Sequence, residues 1–415
     1  MKRQVAHKLE LHFVQKGKAK MHSKVALLSF FLCWQTLSCC QVTPLPTQVV
    51  DTTPKPLWNV QRANGGIANG YFPQFIHNNT LITYKENQGN AVIVALNPNN
   101  GQELWSWSDL FTQHEAKTDG IHVFEDILIW RYTGRVYAIN LKNGQTVWKQ
   151  RINTNLGFNT DALSGIGNRF LIHTWYPTYF SGFSKNGSIS ASPILTPSVR
   201  TNHIRTSIFL NEHPNYLSEA EFNDTLAVLP YDTPEGKTAN FFTIYNLTQN
   251  KEIYTKTIPG DTSGAFAKTP IVHNGKIYFP SGIFILCFDL KTGNELWRTR
   301  FGSIFFTSGI TIINNKIYCN NNDGNSYCLD PENGKILWQK RTTSGGSLPF
   351  FLNGVIYFTS EADGHLYGLD AETGAILMKI DDPRGGIGFQ DVVTGIGDKI
   401  FAATYTTLYC FKAAR

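Results

Sequence analysis

Residues Tyr327 to Lys340 read YCLDPENGKILWQK: a strand-like run ends in Asp330, turns through Asn333-Gly334 and resumes on a run that carries Trp338. Each piece has a local cause. Asp330 can accept hydrogen bonds from backbone N–H groups at a strand end, and Gly334 supplies a positive φ. The local causes do not explain why the pattern recurs. YGLDAETGAILMK (Tyr367 to Lys379) repeats it downstream, and LCFDLKTGNELWR (Leu286 to Arg298), YAINLKNGQTVWK (Tyr137 to Lys149) and VALNPNNGQELWS (Val94 to Ser106) repeat it upstream. The chain is a repeat array.

The turn glycine serves as a ruler. Clear units fall at Gly101, Gly144, Gly293, Gly334 and Gly374, with spacings of 43, 41 and 40 where units adjoin. Weaker units at Gly187 (FSKNGSISAS) and Asn250 (IYNLTQNKEIY) fill the long gap, Asn being the usual substitute for Gly at positive φ. That makes seven units, with about 20 extra residues between the third and fourth by the spacing of Gly187 and Asn250. An eighth, KIFAATYTTLYCF (Lys399 to Phe411), stops before its D-x-x-x-G-x-x-x-W segment, while LWNVQ (Leu57 to Gln61) is a strand with no unit before it. Pairing these two leftovers closes the array and removes the exposed edges of an open stack. The expected fold is all-β: an eight-bladed β-propeller of four-stranded antiparallel blades over residues 57–413, closed by its N- and C-terminal strands. Within the sixth unit, Asp323-Gly324 reads as a two-residue hairpin between KIYCN and NSYCLD, and Asp363-Gly364 repeats it in the seventh.

Composition agrees with a large folded core. Charged residues make up 16% and aromatic residues 13%, with 35 glycines, which is too little charge for disorder. The formal charge is +6, but residues 1–38 hold seven Lys/Arg against the single acid Glu10. The remainder is near neutral and carries no electrostatic footprint for nucleic acid.

Residues 1–39 read as a leader with an export signal. A second methionine, Met21, is followed by HSK, the apolar run VALLSFFLCW (Val25 to Trp34) and QTLSCCQ, and the apolar run is too short to span a bilayer. Translation from Met21 would leave residues 1–20 outside the product. The signal's end resembles a bacterial lipobox, which implies acylation of one cysteine. Cys39 follows Ser38 but has Thr36 in the aliphatic place; Cys40 has Leu37 in that place but follows Cys39. Residues 40–56, QVTPLPTQVVDTTPKP after Cys40, hold four prolines and suit an extended tether.

The pattern A-x-[DN]-x-x-[TN]-G-x-x-x-W resembles the quinoprotein, or PQQ-like, propeller repeat. The resemblance implies that Trp105, Trp148, Trp297 and Trp338, with Trp58 closing the ring, dock on the neighbouring blade; Tyr254 and Met378 depart from it. In whole plan the chain is similar to the lipidated propellers of outer-membrane β-barrel assembly: export signal, acylated Cys, tether and eight blades without a cofactor. The catalytic branch of the family, which needs adjacent cysteines over a quinone seat, a Ca²⁺ site and an Asp base, is matched only in its repeats, since the adjacent cysteines here lie in the signal. The resemblance therefore implies a non-enzymatic scaffold, lipid-anchored at the periplasmic face of the outer membrane. Its partner would be the barrel-assembly complex. A quinone-dependent dehydrogenase and an envelope glycan binder are the alternatives.

Candidate sites are few. Of the cysteines after the tether, Cys287, Cys328 and Cys410 occupy the small-residue place held elsewhere by Ala95, Ala138 and Gly368, which suits buried small hydrophobes. Cys319 and Cys328 would face each other across the Asp323-Gly324 hairpin, where a disulfide is one option. His122, His173 and His273 lie in strand-like runs, and no zinc, haem, phosphate-loop or nucleophile-elbow spacing occurs. The insertion near 196–222 offers Arg200, Arg205, Ile208 and Phe209 as partner contacts, since an elongated loop on a rigid ring often presents a binding surface. HTWYPTYF (His173 to Phe180) is either a sugar-stacking platform or interblade packing.

Overall fold

The computed structural model describes residues 54–62, 74–87, 90–111, 120–132, 135–151, 226–232, 240–246, 249, 251–258, 270–303, 309–342, 346–360, 362–386, 388–390 and 392–415, and between residues 162 and 210 the backbone of the strands given below. Every described element is a β-strand and every pairing is antiparallel.

The first sheet is Phe75–His77, Thr80–Asn87, Asn90–Leu96 and Glu103–Trp107. The second is Gly120–Phe124, Ile127–Tyr132, Arg135–Asn140 and Thr146–Arg151. The third is Ala162–Ile166, Arg169–His173, Tyr179–Ser184 and Ile189–Pro193. In the fourth, His203–Ile204 and Ile208–Leu210 both pair with Leu226–Asp232, which is followed by Asn240–Asn246 and Lys251–Ile258. The fifth is Ile271–His273, Lys276–Ser281, Phe284–Asp289 and Glu295–Arg300. The sixth is Ile310–Ile313, Lys316–Asn321, Asn325–Leu329 and Ile336–Arg341. The seventh is Phe350–Leu352, Val355–Thr359, Leu366–Asp370 and Ile376–Ile380. Thr394–Ile396, Lys399–Ala403 and Thr407–Lys412 form the last, with Trp58–Gln61 as its fourth strand, in the register Trp58↔Cys410 to Gln61↔Thr407.

The core lies between sheets. Leu81, Val94 and Leu96 of the first sheet pack with Phe401, Leu408 and Cys410 of the eighth, while their neighbours Ile82, Ile93 and Ala95 pack with Leu128, Trp130 and Tyr137 of the second. Strand side chains alternate between faces, so a sheet buried on both faces needs an unbroken apolar run such as VIVAL (Val92 to Leu96). First strands of neighbouring sheets also adjoin: second with third, third with fourth, fourth with fifth, fifth with sixth, seventh with eighth, and eighth with first. Sheets that radiate from adjoining first strands are the architecture of a β-propeller.

Two-residue turns join first to second strands. Asn78-Asn79, Asn274-Gly275, Asn314-Asn315 and Asn353-Gly354 have φ of 44/59°, 48/70°, 49/54° and 51/76°. Both central residues at positive φ define the type I′ hairpin, which Asn and Gly tolerate best.

The structure corrects two expected hairpins. Asn321 pairs with Asn325, leaving the three residues Asn322-Asp323-Gly324 in the loop, with Gly324 at φ 87°. One extra loop residue shifts the register by one and turns every side chain to the other face. Cys319 is thus opposite Tyr327 and Cys328 opposite Tyr318; both thiols are free, which removes the expected facing pair. Asp363-Gly364 likewise ends a longer loop, closed by Ser360 N donating to His365 O (2.9 Å) and Gly364 N to Ser360 O (3.0 Å).

Ile208–Leu210 pairs with Leu226–Val228, so this part of the segment 196–222 belongs to the fourth sheet.

Candidate interaction surface

The repeat motif builds a clasp between successive sheets. Asp330, at the end of a third strand, accepts Gly334 N with its carbonyl (2.8 Å) and Glu332 N with its carboxylate (2.8 Å), which folds D-x-x-x-G into a compact loop. Gly334 has φ 73°, and a Cβ there would lie 2.4 Å from the Cε3 of Trp297 in the preceding sheet. Trp297 Nε1 donates to Pro331 O at 3.0 Å. The glycine is therefore fixed twice, by its dihedral and by the indole that covers it.

The same arrangement recurs. Trp58 Nε1 donates to Pro98 O (3.1 Å) over Gly101, Trp105 Nε1 to Leu141 O (3.1 Å) over Gly144, and Trp338 Nε1 to Ala371 O (2.9 Å) over Gly374. Tyr254 substitutes for Trp by donating its hydroxyl to Leu290 O (2.5 Å) over Gly293. Each clasp tryptophan faces a small residue on its own sheet's third strand: Ala95 opposite Trp105, Ala138 opposite Trp148, Cys287 opposite Trp297, Cys328 opposite Trp338 and Cys410 opposite Trp58, whereas Tyr254 faces Ile244. The small residues make room for the rings. Gly187, which would take Trp148, lies outside the described residues, as does Asn250.

Met378 faces Gly368 and joins the cluster with Phe389, Tyr409 and Phe411. Here the chain's last residues stand where other sheets have the turn. Ala414 N donates to Tyr357 Oη (2.8 Å), and Arg415 pairs with Asp370 (2.6 Å).

Both kinds of turn meet on one rim. Leu141, Leu290, Ala371 and Ala413 donate their N–H to carbonyls of Asp126, Gly275, Gly354 and Asp398 in the first-to-second turns. Ion pairs link successive sheets there, Lys276 with Glu332 (2.5 Å) and Lys316 with Glu372, and a hydrogen bond joins His77 Nε2 to Asp126 (2.9 Å). Lys142 holds the Asp126 carboxyl below its usual range, helped by His77.

At the opposite ends of the strands, Asp323 accepts the Tyr327 hydroxyl (2.6 Å) and Gly302 N (3.2 Å), and Asp363 accepts the Tyr367 hydroxyl (2.8 Å). His365 lies between Asp363 (2.8 Å) and Asp381. These groups tie the sheet-to-sheet connections to the hairpin loops. Among the described residues no three His, Cys, Asp or Glu side chains gather in a way that could hold a metal ion.

The cysteines behave as buried packing. Burial pushes the Cys287 and Cys410 thiols up to about 12, Cys328 up to about 11, and Cys319 well above the ordinary thiol range. They stay protonated and unreactive at neutral pH. His122 and His273 lie on first strands; burial lowers the pKa of His122. His173 ends a second strand.

Several expected site residues fall elsewhere. Cys39, Cys40, Arg200, Arg205, Trp175 and Tyr176 lie outside the described residues. Ile208 and Phe209 are strand residues whose backbone pairs with Val228 and Ala227. No helix among the described residues is long and apolar enough to cross a membrane.

The sheets and clasps define a β-propeller protein of PQQ-like repeats. The chain belongs to the family described as outer membrane protein assembly factor BamB, which matches residues 53–165 and 284–414. Among solved structures, BamB from Moraxella catarrhalis aligns with 86% of this chain and 99% of its own at TM-score 0.57 and 12% identity. A quinohemoprotein alcohol dehydrogenase from Pseudomonas putida aligns with 87% of this chain and 76% of its own at TM-score 0.63 and 11% identity. At such identities the likeness is one of fold. A curated relative, the beta-alanine-activating enzyme of Danio rerio, is 36% identical over 75 residues, which span 16% of this chain and 6% of that enzyme.

Proposed function

We propose that the chain is a non-enzymatic scaffold of the cell envelope: an eight-bladed propeller closed by Trp58–Gln61, anchored by a lipid on Cys39 or Cys40, serving outer-membrane β-barrel assembly from the periplasmic face. The observation that carries this reading is the family match, which takes in both ends of the propeller, residues 53–165 and 284–414. The pairing of Trp58–Gln61 with Thr407–Lys412 supports closure, because the N-terminal strand supplies the outer strand that the last repeat lacks. The described polar groups support a structural role: the repeat carboxylates hold turn N–H groups and the buried thiols are protonated. Partner contact is assigned to the segment around Arg200, Arg205, Ile208 and Phe209, with the remaining loops as further surface.

The test is crosslinked affinity purification of the tagged protein from its own envelope, with mass spectrometry of what accompanies it. Recovery of barrel-assembly components, lost when Thr196 to Phe222 is shortened, is the expected result. Recovery of polysaccharide and its enzymes would move the protein to glycan binding. A spectral or thermal response to pyrroloquinoline quinone with Ca²⁺ would move it to the dehydrogenase class.

A further inference from the structure

Aliphatic side chains stand in solvent at one height of the outer strands. The residue before the clasp position is exposed in several sheets, as Leu104, Val147, Leu296, Leu337 and Leu377. The residue before that is polar in four sheets, Glu103, Thr146, Glu252 and Glu295, but in the sixth and seventh it is Ile336 and Ile376. A bulge turns both neighbours outward. Ile336 lies opposite Leu329 and Trp338 opposite Cys328, which leaves Leu337 as the extra residue; Leu377 is extra in the same way between Ile376 and Met378. The clasps then join the sheets into one surface, because Trp297 covers Gly334, just before Ile336, and Trp338 covers Gly374, just before Ile376. Leu296, Ile336, Leu337, Ile376 and Leu377, each between 36% and 47% exposed, form an aliphatic stripe across three successive sheets. The turns beside the stripe close on themselves, Gly334 N on Asp330 O (2.8 Å) and Gly374 N on Asp370 O (2.9 Å), and leave it uncovered. Single exposed aliphatics need no explanation; a continuous row marks a contact surface.

The charges around the stripe select its occupant. The acids there are already engaged: Glu295 by Arg298, Glu332 by Lys276 and Glu372 by Lys316, while the Asp289 and Asp330 carboxylates hold turn N–H groups. Arg300, Lys335 and Lys340 are left without an acidic partner among the described residues. The charge left over beside the stripe is therefore positive, and its complement is acidic. A second copy of the chain in a two-fold contact would set these cations against themselves. A bilayer surface is also a poor match, since every large apolar side chain exposed among the described residues is aliphatic, whereas seats at a membrane interface favour Trp and Tyr.

We infer that the stripe of Leu296, Ile336, Leu337, Ile376 and Leu377 is a docking surface for a partner-protein segment that carries aliphatic and acidic side chains together. Burial of the two isoleucines supplies the affinity, and the unpaired cations reject basic segments. This inference rests on the scaffold reading and names the chemistry of the partner segment.

The test uses the full chain with a short fluorescein-labelled peptide of alternating Leu and Glu, read by anisotropy and by hydroxyl-radical footprinting. Saturable binding is expected, with protection confined to the five stripe residues. The double variant Ile336→Thr/Ile376→Thr installs the residue that the second sheet carries as Thr146, so the melting temperature should hold while peptide binding weakens about tenfold or more. Lys335→Glu should weaken binding as well, and a peptide of alternating Leu and Lys should not bind. Absence of saturable binding, equal binding by the double variant, or equal binding of the Leu–Lys peptide would each overturn the inference. So would loss, in the double variant, of binding to phosphatidylglycerol–phosphatidylcholine vesicles or of self-association, which would assign the stripe to a membrane surface or to a second copy of the chain. Failure here alongside recovery of assembly components in the purification would leave the scaffold reading intact.

Discussion

The indole of Trp338 covers the α-carbon of Gly374 in the following sheet and donates its Nε1–H to Ala371 O at 2.9 Å. One side chain thereby recognises both the shape and the polarity of its neighbour's turn, which couples the repeats to each other.

Gly374→Ala should be costly. The new Cβ would sit 2.7 Å from Trp338 Cε3 at a residue with φ 71°, so strain and overpacking add. A loss of about 3 kcal/mol is expected by denaturant unfolding. Gly385→Ala, at φ 66° with nothing within 4 Å, isolates the backbone component and should cost about 1 kcal/mol. Equal losses at both positions would show that the indole contact carries no energy.

Tyr254 tests the polar half of the clasp. Removing its hydroxyl in Tyr254→Phe keeps the ring over Gly293 but leaves Leu290 O without that donor. A loss of about 1 kcal/mol is expected. No loss would mean that water replaces the bond.

The repeats were legible because the clasp is encoded within a dozen residues: the turn needs Asp or Asn and Gly, and the docking needs Trp at a fixed distance. Asp323-Gly324 fits a two-residue turn and also the end of a three-residue loop with Gly at positive φ, and one residue of loop length decides whether Cys319 faces Cys328 or Tyr327. The first-to-second turns carry their own signal, Asn-Asn or Asn-Gly, at His77 to Thr80, His273 to Lys276 and Leu352 to Val355.

The four buried thiols of the sheets are predicted to be redox-silent. Cys287, Cys319, Cys328 and Cys410 should resist alkylation at neutral pH in the native state and react after unfolding, since burial raises every one of them. Reductant should leave the unfolding midpoint unchanged. A midpoint that falls with reductant would reveal a disulfide.

Acid should weaken the sheet-to-sheet contacts. The Thr373 hydroxyl, with Arg415, holds the Asp370 carboxyl below its usual range, and Lys149 does so for Asp109. A carboxyl whose folded pKa is depressed contributes stability that is present above its unfolded value near 4 and lost as pH falls through the folded value. Stability from these groups should therefore stay level from about pH 8 to 5 and decline below about pH 4. Asp370→Asn should lower stability at neutral pH and reduce the acid-dependent loss. An unaltered acid profile would assign the decline to other carboxylates.

Trp58 distinguishes a closed ring from an open arc. It sits on a strand of the eighth sheet, opposite Cys410, yet its Nε1 bonds Pro98 O and its ring covers Gly101, both in the first sheet. Trp58→Ala removes a half-buried indole, at a cost of about 3 kcal/mol by analogy with large-to-small core changes. If the contact closes a cooperative ring, amide exchange should rise together in Thr407–Lys412 and in the Asn97–Gly101 turn, with a lower global unfolding midpoint. If the sheets unfold as independent neighbours along an arc, exchange should rise at Trp58–Gln61 and its partner strand alone, with the midpoint unchanged. The two outcomes differ in which amides move, so native-state hydrogen exchange on this one variant decides between them.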